Sequence, residues 1–267
     1  MQKFLVIGNP IDHSLSPELH NYWIKINKIE ASYEKKLLNE NDLENIVLKI
    51  RWGEIEGVNV TVPFKKKIIP YLDELTQEAK ETNSVNTVYL DSDKVIGHNT
   101  DIAGFELGIR YFKYDAKNKN VLILGAGGVV SSIIVALKKM YAKKILLHNR
   151  TQEKVRDLKK IYSDIDIFDW ERKIEIDMII NATSVGLNKN DKNNLELEKF
   201  GKDKFFYDII YNPPETNFLK DAKKLGHKTE NGKMMFIYQA HQSFSVWHKK
   251  FPKIDDETIK LIEKWYK

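Results

Sequence analysis

Apolar positions along the first part of the chain alternate between two spacings, and the alternation predicts strands interleaved with helices. Phe4 to Ile7 is an unbroken apolar run closed by Gly8, which reads as a short buried strand. Asn9-Pro10 and then His13, Ser14, Leu15, Ser16 and Pro17 make a polar loop. Leu19, Tyr22, Trp23 and Ile26 follow at helical spacing and predict an amphipathic helix from Pro17 to Asn27. Pro17 suits its first turn, where no amide hydrogen is required. The same reading predicts a strand at Ser32 to Leu38, a helix at Asn41 to Arg51 and a strand at Gly57 to Val62, a βαβαβ rhythm that implies parallel pairing. Ile68 to Glu81 reads as helical. Ser84 to Leu90 and Lys94 to His98 read as strands joined by the turn Asp91-Ser92-Asp93, and Asn99-Thr100-Asp101 caps a helix running to about Phe112.

Beyond a polar stretch from Lys113 to Asn120, a candidate domain linker, the pattern restarts. Val121 to Leu124 is an apolar strand, Gly125-Ala126-Gly127-Gly128 a glycine-rich turn, the residues through Met140 an apolar helix, and Lys144 to Leu147 a second strand. In that order these form a nucleotide-binding βαβ unit, whose backbone amides approach a pyrophosphate and whose helix N-terminus favours its charge. The third glycine position of the usual pattern holds Val130, followed by the small Ser131 and Ser132. Strands at Met178 to Ile180 and Phe205 to Asp208 each run into a polar loop, Asn181 to Gly186 and Asp208 to Pro213, and such loops are where open α/β sheets bind ligands. Met234 to Lys249 and Asp255 to Tyr266 are the closing helices.

Composition narrows the class. A chain of 267 residues suggests two domains, and 42% apolar with 30% charged residues is the balance of a folded globular protein. The net charge of +5 arises from 43 basic residues interleaved with 38 acidic ones, which argues against a nucleic-acid arm and suits small anionic ligands. With no cysteine, disulfides and thiolate metal sites are excluded, in keeping with a reducing cytosol. The opening MQKFLVIGNP leads straight into a strand pattern without a signal-peptide core, and no apolar run is long enough to span a bilayer, so a cytoplasmic protein without membrane partners is expected. The histidines lack HExxH spacing and no metal is expected; His241 and His248 read as surface or packing residues. No GxSxG nucleophile elbow is present.

Two groups of residues carry candidate chemistry. NAD sites usually place a carboxylate about 20 residues beyond the glycine turn, whereas the second strand here ends in Asn149-Arg150-Thr151, and a guanidinium with neutral neighbours suits a 2′-phosphate. The inferred cofactor is therefore NADP. In the first part of the chain, predicted strand ends offer Ser14, Ser16, Thr61, Lys65, Asn86 and Asp101, a polar set suited to a small polyhydroxylated acid. Lys65-Lys66-Lys67 also reads as a solvated run at a helix start, and Asp101 as a helix cap, so spacing alone leaves both readings open.

The chain resembles the shikimate dehydrogenase family nearly end to end. The resemblance is carried by Gly8-Asn9-Pro10, His13-Ser14-Leu15-Ser16-Pro17, His20-Asn21, Asn59-Val60-Thr61-Val62-Pro63-Phe64-Lys65, Val85-Asn86-Thr87 and Gly97-His98-Asn99-Thr100-Asp101. It continues through Gly125 to Gly128, Asn149-Arg150-Thr151, Asn181-Ala182-Thr183-Ser184, Asp208 with Tyr211 and Pro213, and Gly232 through Gln239. It implies an α/β protein of two domains, an N-terminal open α/β substrate domain at residues 1–101 and a Rossmann-type NADP-binding domain at 102–236, with C-terminal helices at 237–267 returning to the substrate domain. The implied activity is an oxidoreductase step on the route to chorismate and the aromatic amino acids, the reversible reduction of 3-dehydroshikimate to shikimate with NADPH. Lys65 and Asp101 become a catalytic pair, and Ser14 and Ser16 donors to the substrate carboxylate. Thr61, Asn86, Gln239 and Tyr211 become further substrate contacts. Gly125, Ala126, Gly127, Gly128, Val129, Asn149, Arg150, Thr151 and Thr183 would hold the cofactor, with Ile209, Gly232 and Met235 along its nicotinamide end. A monomer or homodimer acting on a small molecule is expected. The rival readings are a quinate/shikimate dehydrogenase with relaxed substrate or NAD use, and a non-catalytic NADP-binding regulatory module.

Overall fold

The computed structural model describes residues 1–171, 174–188, 190–192 and 195–266. Contacts between backbone positions divide the chain into two compact units, one formed by Met1–Gly104 with Ile237–Trp265 and one containing Phe105–Phe236.

The first unit begins β1 (Gln2–Gly8), α1 (Ser16–Ile26), β2 (Ala31–Leu37), α2 (Leu43–Arg51), β3 (Gly57–Val60), β4 (Glu74–Leu75), α3 (Gln77–Thr82), β5 (Thr87–Asp91) and β6 (Lys94–His98), followed by the start of α4 (Asp101–Tyr111). Its sheet has the order β2-β1-β3-β5-β6-β4. The expected parallel pairing holds for β1 with β2 and with β3. Beyond them β5 pairs antiparallel with both β3 and β6, joined to the latter by a tight turn with Ser92 at φ 55°, and β4 pairs parallel with β6 at the sheet edge. On α2, Leu43, Ile46, Val47 and Ile50 are buried in one apolar cluster with Ile7, Val58 and Val88. Each such side chain contributes about 1.5–3 kcal/mol on burial, which holds a nine-residue helix too short to be stable alone.

Three sequence expectations change here. Ile68 to Glu81 is not one helix but a 3₁₀ turn at Ile69–Tyr71, then β4, then α3. Pro70 cannot donate within a helix, and the sheet takes the hydrogen bonds a helix would need: Asp73 N donates to Val95 O at 3.0 Å, and Thr76 N to Gly97 O at 2.9 Å. The strand expected at Gly57 to Val62 stops at Val60, ahead of Pro63, which has no amide to give to a sheet. The strand expected from Ser84 begins at Thr87, and before it the Val85 amide donates to Lys65 O, in the loop after β3, at 2.9 Å.

The second unit continues α4 into β7 (Asn120–Leu124), α5 (Val130–Lys139), β8 (Lys144–His148), α6 (Gln152–Ile161), β9 (Asp166–Ile167), β10 (Met178–Asn181), β11 (Phe205–Asp208), α7 (Asn217–Lys224) and β12 (Lys228–Asn231), and ends in the first turn of α8 (Lys233–His248). The remainder of α8 and α9 (Asp256–Glu263) belong to the first unit. The second sheet, β12-β11-β10-β7-β8-β9, is parallel throughout. Its middle strands are buried on both faces, which explains their unbroken apolar runs. Val130 to Leu137 are all buried on α5, and the small Ser131 and Ser132 let the helix lie close to the sheet despite the missing third glycine. Lys113 to Asn120 is not a linker: it lies inside this unit, with Ala116 buried and the Tyr114 ring stacked on Phe205 at 4.4 Å. The division falls instead within α4 and within α8. Among the described residues no helix is long and apolar enough to cross a membrane.

Candidate active site

In the first unit β1 and β3 run side by side, and the loops leaving their C-terminal ends carry the candidate residues. Asn9 N donates to Val62 O at 3.0 Å and Thr61 N to Ile7 O at 2.9 Å, so the two loops start out bound together. Gly8 is required for this approach, since a Cβ there would meet Thr61 Cγ2 at 2.5 Å. The first loop leads to Ser14, whose Oγ accepts from Ser16 N at 3.3 Å at the start of α1. The second leads past Pro63 to Lys65.

Lys65 is not a solvated lysine. Its Nζ donates to Asp101 Oδ2 at 2.5 Å, and the two side chains are 13% and 7% exposed. Removing one member of a pair this buried leaves the other charge uncompensated, at a cost of about 3–5 kcal/mol. Asp101 does not cap α4 with its own side chain, because Asn99 Oδ1 accepts from Asp101 N at 3.0 Å and Ile102 N at 3.3 Å. The carboxylate is therefore free for Lys65 on one oxygen and Asn86 Nδ2, at 3.0 Å, on the other. Asn86 is itself held: its second amide hydrogen goes to Thr100 Oγ1 at 2.9 Å, and its Oδ1 accepts from Thr100 N at 2.8 Å. The structure thus brings Lys65, Asn86 and Asp101 into direct contact across sequence gaps that spacing could not bridge.

A buried layer behind this trio was not singled out as functional from sequence. Asn59 Nδ2 lies within hydrogen-bonding reach of Asn86 O at 3.0 Å, Thr87 Oγ1 at 3.1 Å and Ser243 Oγ at 2.9 Å, and Asn59 Oδ1 accepts from the Tyr33 hydroxyl at 2.7 Å. Ser243 lies on α8 one turn beyond Gln239, whose carbonyl accepts from Ser243 Oγ at 3.1 Å, so the helix bearing Gln239 is fastened to the same layer. The available signal was a polar residue at an inward position: Asn59 in a strand buried along its whole length, Ser243 among the buried Ala240 and Phe244. His241 and His248 are packing residues, the first bonded to Pro252 O at 3.1 Å, the second set against Phe4 and Phe244.

In the second unit the glycine turn joins β7 to α5. Gly125 has φ 119° and lies against Ala182, where a Cβ would come within 2.6 Å of the carbonyl oxygen. Gly127 and Gly128 face open space, and α5 has no side-chain cap, so the backbone amides from Ala126 to Val129 are available to an anion, while Gly125 N donates to His148 O at 2.7 Å and ties the turn to β8. Beyond β8, Asn149 Nδ2 donates to Thr151 O at 3.0 Å, shaping the turn around an exposed Arg150 with no carboxylate partner among the described residues. Beside it, His148, Gln152, Phe168, Asp169 and Trp170 line a cavity of about 580 Å³, with Trp170 edge-on to His148. These features fit a dinucleotide bearing a 2′-phosphate.

At the ends of β10 and β11 a second polar knot shapes two loops. Buried Asp208 accepts from Thr216 Oγ1 at 2.6 Å, Asn181 Nδ2 at 3.1 Å and Ile210 N at 3.0 Å. Burial nevertheless pushes its carboxyl up to about 6, against the opposing pull of those bonds. Asn181 in turn accepts from Thr183 N and, at 2.7 Å, from Thr183 Oγ1. Gly232 rests on Ile209, where a Cβ would lie 2.0 Å from the carbonyl oxygen, and Met235 is buried in the following turn. Tyr211 stacks on Phe236 at 4.4 Å.

The shikimate dehydrogenase substrate binding domain matches residues 6–88, and the shikimate / quinate 5-dehydrogenase family matches residues 106–217. The chain is 59% identical to a shikimate dehydrogenase (NADP(+)) of Pelagibacter ubique (strain HTCC1062) over 97% of this chain and 98% of that protein. Among solved structures it is similar to a shikimate dehydrogenase in complex with NADP+, with a TM-score of 0.92 and 33% identity, covering 100% of this chain and 96% of the other. It is also similar to the shikimate 5-dehydrogenase of Thermus thermophilus in complex with NADP(H) and shikimate, with a TM-score of 0.90 and 29% identity over 99% of both chains.

Proposed function

The chain belongs to the shikimate dehydrogenase family, and from that premise we propose how its residues carry out the reversible NADPH-dependent reduction of 3-dehydroshikimate to shikimate. The single observation that carries the reading is the buried Lys65–Asp101 pair braced by Asn86.

NADPH, when bound, supplies the hydride. As the ring carbonyl is reduced its oxygen gains negative charge, and an ammonium beside it both neutralises that charge and provides the proton. Lys65 is that group. Asp101 limits where the ammonium can swing, and Asn86, bonded to Thr100 and to Asp101, limits where the carboxylate can swing. In the reverse direction neutral Lys65 accepts the hydroxyl proton. Ser14 and Ser16 donate to the substrate carboxylate, while Thr61, Asn86, Gln239 and Tyr211 contact the rest of the substrate.

Gly125 to Val129 cradle the pyrophosphate, Arg150 forks onto the 2′-phosphate with Asn149 and Thr151 shaping the turn, and the cavity beside His148 receives the adenosine. Thr183, Ile209, Gly232 and Met235 line the nicotinamide end. The reading extends to a cytoplasmic enzyme acting as a monomer or homodimer, which light scattering on the purified protein distinguishes.

The test is reduced-nicotinamide absorbance with shikimate or quinate and with NADP or NAD. Fast turnover with shikimate and NADP is expected. No turnover with any pairing would reduce the protein to a cofactor-binding module, and equal rates on quinate or with NAD would overturn the substrate or cofactor assignment.

A further inference from the structure

Ser243, on α8, is fully buried, and four polar atoms surround its hydroxyl: Asn59 Nδ2 at 2.9 Å, Thr87 Oγ1 at 2.9 Å, Thr100 Oγ1 at 3.3 Å and Gln239 O at 3.1 Å. A hydroxyl has one hydrogen and two lone pairs, so its neighbours decide how it uses them. Gln239 O can only accept, and the Ser243 hydrogen goes there. Asn59 Nδ2 can only donate. The Asn59 amide is fixed from both ends, because Asn86 O, which can only accept, lies 3.0 Å from its nitrogen, and the Tyr33 hydroxyl donates to its oxygen at 2.7 Å. Tyr33 is itself held by Asn21 of α1, which donates to Tyr33 O at 2.8 Å and accepts from Tyr33 N at 2.9 Å. One lone pair of Ser243 therefore takes Asn59, and the other is left for a threonine.

The Asn86 amide decides which threonine. Its nitrogen faces Asp101 Oδ1 at 3.0 Å and its oxygen faces Thr100 N at 2.8 Å; turned over, it would set oxygen against oxygen and hydrogen against hydrogen. The second Nδ2 hydrogen goes to Thr100 Oγ1 at 2.9 Å, so Thr100 must turn a lone pair toward Asn86 and send its own hydrogen elsewhere. Asn86 Oδ1 is 3.2 Å away, but it lies in nearly the same direction as Nδ2, and an oxygen cannot accept and donate along one direction. Ser243 Oγ is the remaining acceptor among the described residues, while Thr87 has Asn86 Oδ1 at 3.1 Å for its hydrogen. We propose that Ser243 is a positioning residue for the reaction: by accepting from Thr100 it keeps the Thr100 lone pair on Asn86, and so holds the amide that braces Asp101 against Lys65. The inference rests on the functional reading above, in which Asn86 contacts substrate and Asp101 limits the swing of Lys65.

Ser243→Ala removes the acceptor and little volume, at a helical position that alanine favours. The Thr100 hydrogen then has only the Asn86 amide to turn to, and it competes with the bond that fixes that amide. With thermal melting confirming a folded variant, kcat/KM for shikimate is expected to fall about five- to tenfold, the size of one polar contact, while KM for NADP stays within about twofold. A merely structural serine would lower the melting temperature and leave kcat/KM for shikimate, measured well below melting, unchanged. Thr100→Val keeps the volume and is expected to cost a similar factor, and adding Ser243→Ala to it less than about twofold more, because the serine acts through that hydroxyl. An unchanged kcat/KM for shikimate in Ser243→Ala, a rise in KM for NADP in step with the loss, or losses that multiply undiminished in the double variant would each overturn the proposal. Should Ser243→Ala not fold, Ser243→Cys fills the same space with a sulfur that accepts poorly, and the same outcomes decide. Wild-type protein without shikimate turnover removes the functional reading and this inference together, whereas wild-type turnover with an indifferent Ser243 variant removes the inference alone.

Discussion

The two units each bury a carboxylate at the end of a strand or the start of a helix, and they treat it differently. In the first, Asp101 faces an ammonium, and the pair retains a small opening to solvent. In the second, Asp208 faces neutral donors, Thr216, Asn181 and an amide, and is 0% exposed. A carboxylate with a mobile cationic partner at a pocket edge can serve proton transfer. One closed in by neutral groups can shape loops, and burial raises its proton affinity. Two similar motifs of sequence, Asn-Thr-Asp in one unit and an apolar strand ending in Asp in the other, thus end on different partners, an ammonium in one and neutral donors in the other, according to what folding delivers.

Lys65→Met should lower kcat by about 10²–10⁴-fold, the usual contribution of a positioned acid–base group, with KM for shikimate within a few-fold. A variant that keeps its kcat while KM rises would make Lys65 a binding residue.

Next come buried titrating groups, which should set the two units against each other in acid. In the first unit His20 is enclosed, with no hydrogen-bond partner on either ring nitrogen among the described residues, and burial, with a further contribution from His248, lowers it to about 3. Its folded value lies below its unfolded 6.5, so below that pH the unfolded chain takes the proton first. Stability is then lost as pH falls from 6.5 toward 3, at about 1.4 kcal/mol per pH unit. His20→Phe should flatten that slope in denaturant titrations; an unchanged slope would mean that other groups account for it.

Asp208 has the opposite sign. Its folded value, about 6, lies above its ordinary 3.8, so its contribution is complete below 3.8 and is lost as pH rises through about 6. The window is narrower than that of His20, and the net effect correspondingly smaller. Asp208→Asn should remove this pH dependence. It should also weaken the fold by about 1–3 kcal/mol at neutral pH, because an amide cannot accept from all three donors with both of its ends. Retention of the wild-type pH profile would dissociate Asp208 from it.

The smallest effect sharpens the cofactor side. Arg150→Ala should raise KM for NADP about tenfold or more, the range of a charge-assisted contact, and leave KM for NAD nearly unchanged. Equal losses would remove the 2′-phosphate assignment.

Much of both sheets was legible in the sequence because buried strands there are apolar runs ended by glycine or polar loops. Val121 to Leu124 with its glycine turn, and the alternation through Val60, needed only local pattern. Ile68 to Glu81 misled because its apolar spacing suits a helix, while its hydrogen bonds go to β6, a partner the local pattern does not contain. Lys113 to Asn120 has the composition of a linker but is packed through Ala116 and Tyr114. In the candidate site, the residue types near strand ends could be read directly, but the supporting layer of Tyr33, Asn59 and Ser243 could not. Those positions acquire meaning from who meets them, and Asn59 and Ser243 meet across 184 positions of sequence.

By itself, then, the order of residues determined the strand and helix alphabet, the glycine turn suited to phosphate, the neutral-and-arginine end of β8, and a set of polar groups whose chemistry suits a hydroxylated acid. These are properties of single residues and of neighbours in the chain. Tertiary structure alone decided that Asn99 and not Asp101 caps α4, that the carboxylate so released meets Lys65, and that Tyr33 joins α1 to the layer behind that pair. The physical reason is that a buried polar group must find partners wherever the fold brings them, and which partner it finds is a property of packing across the sheet.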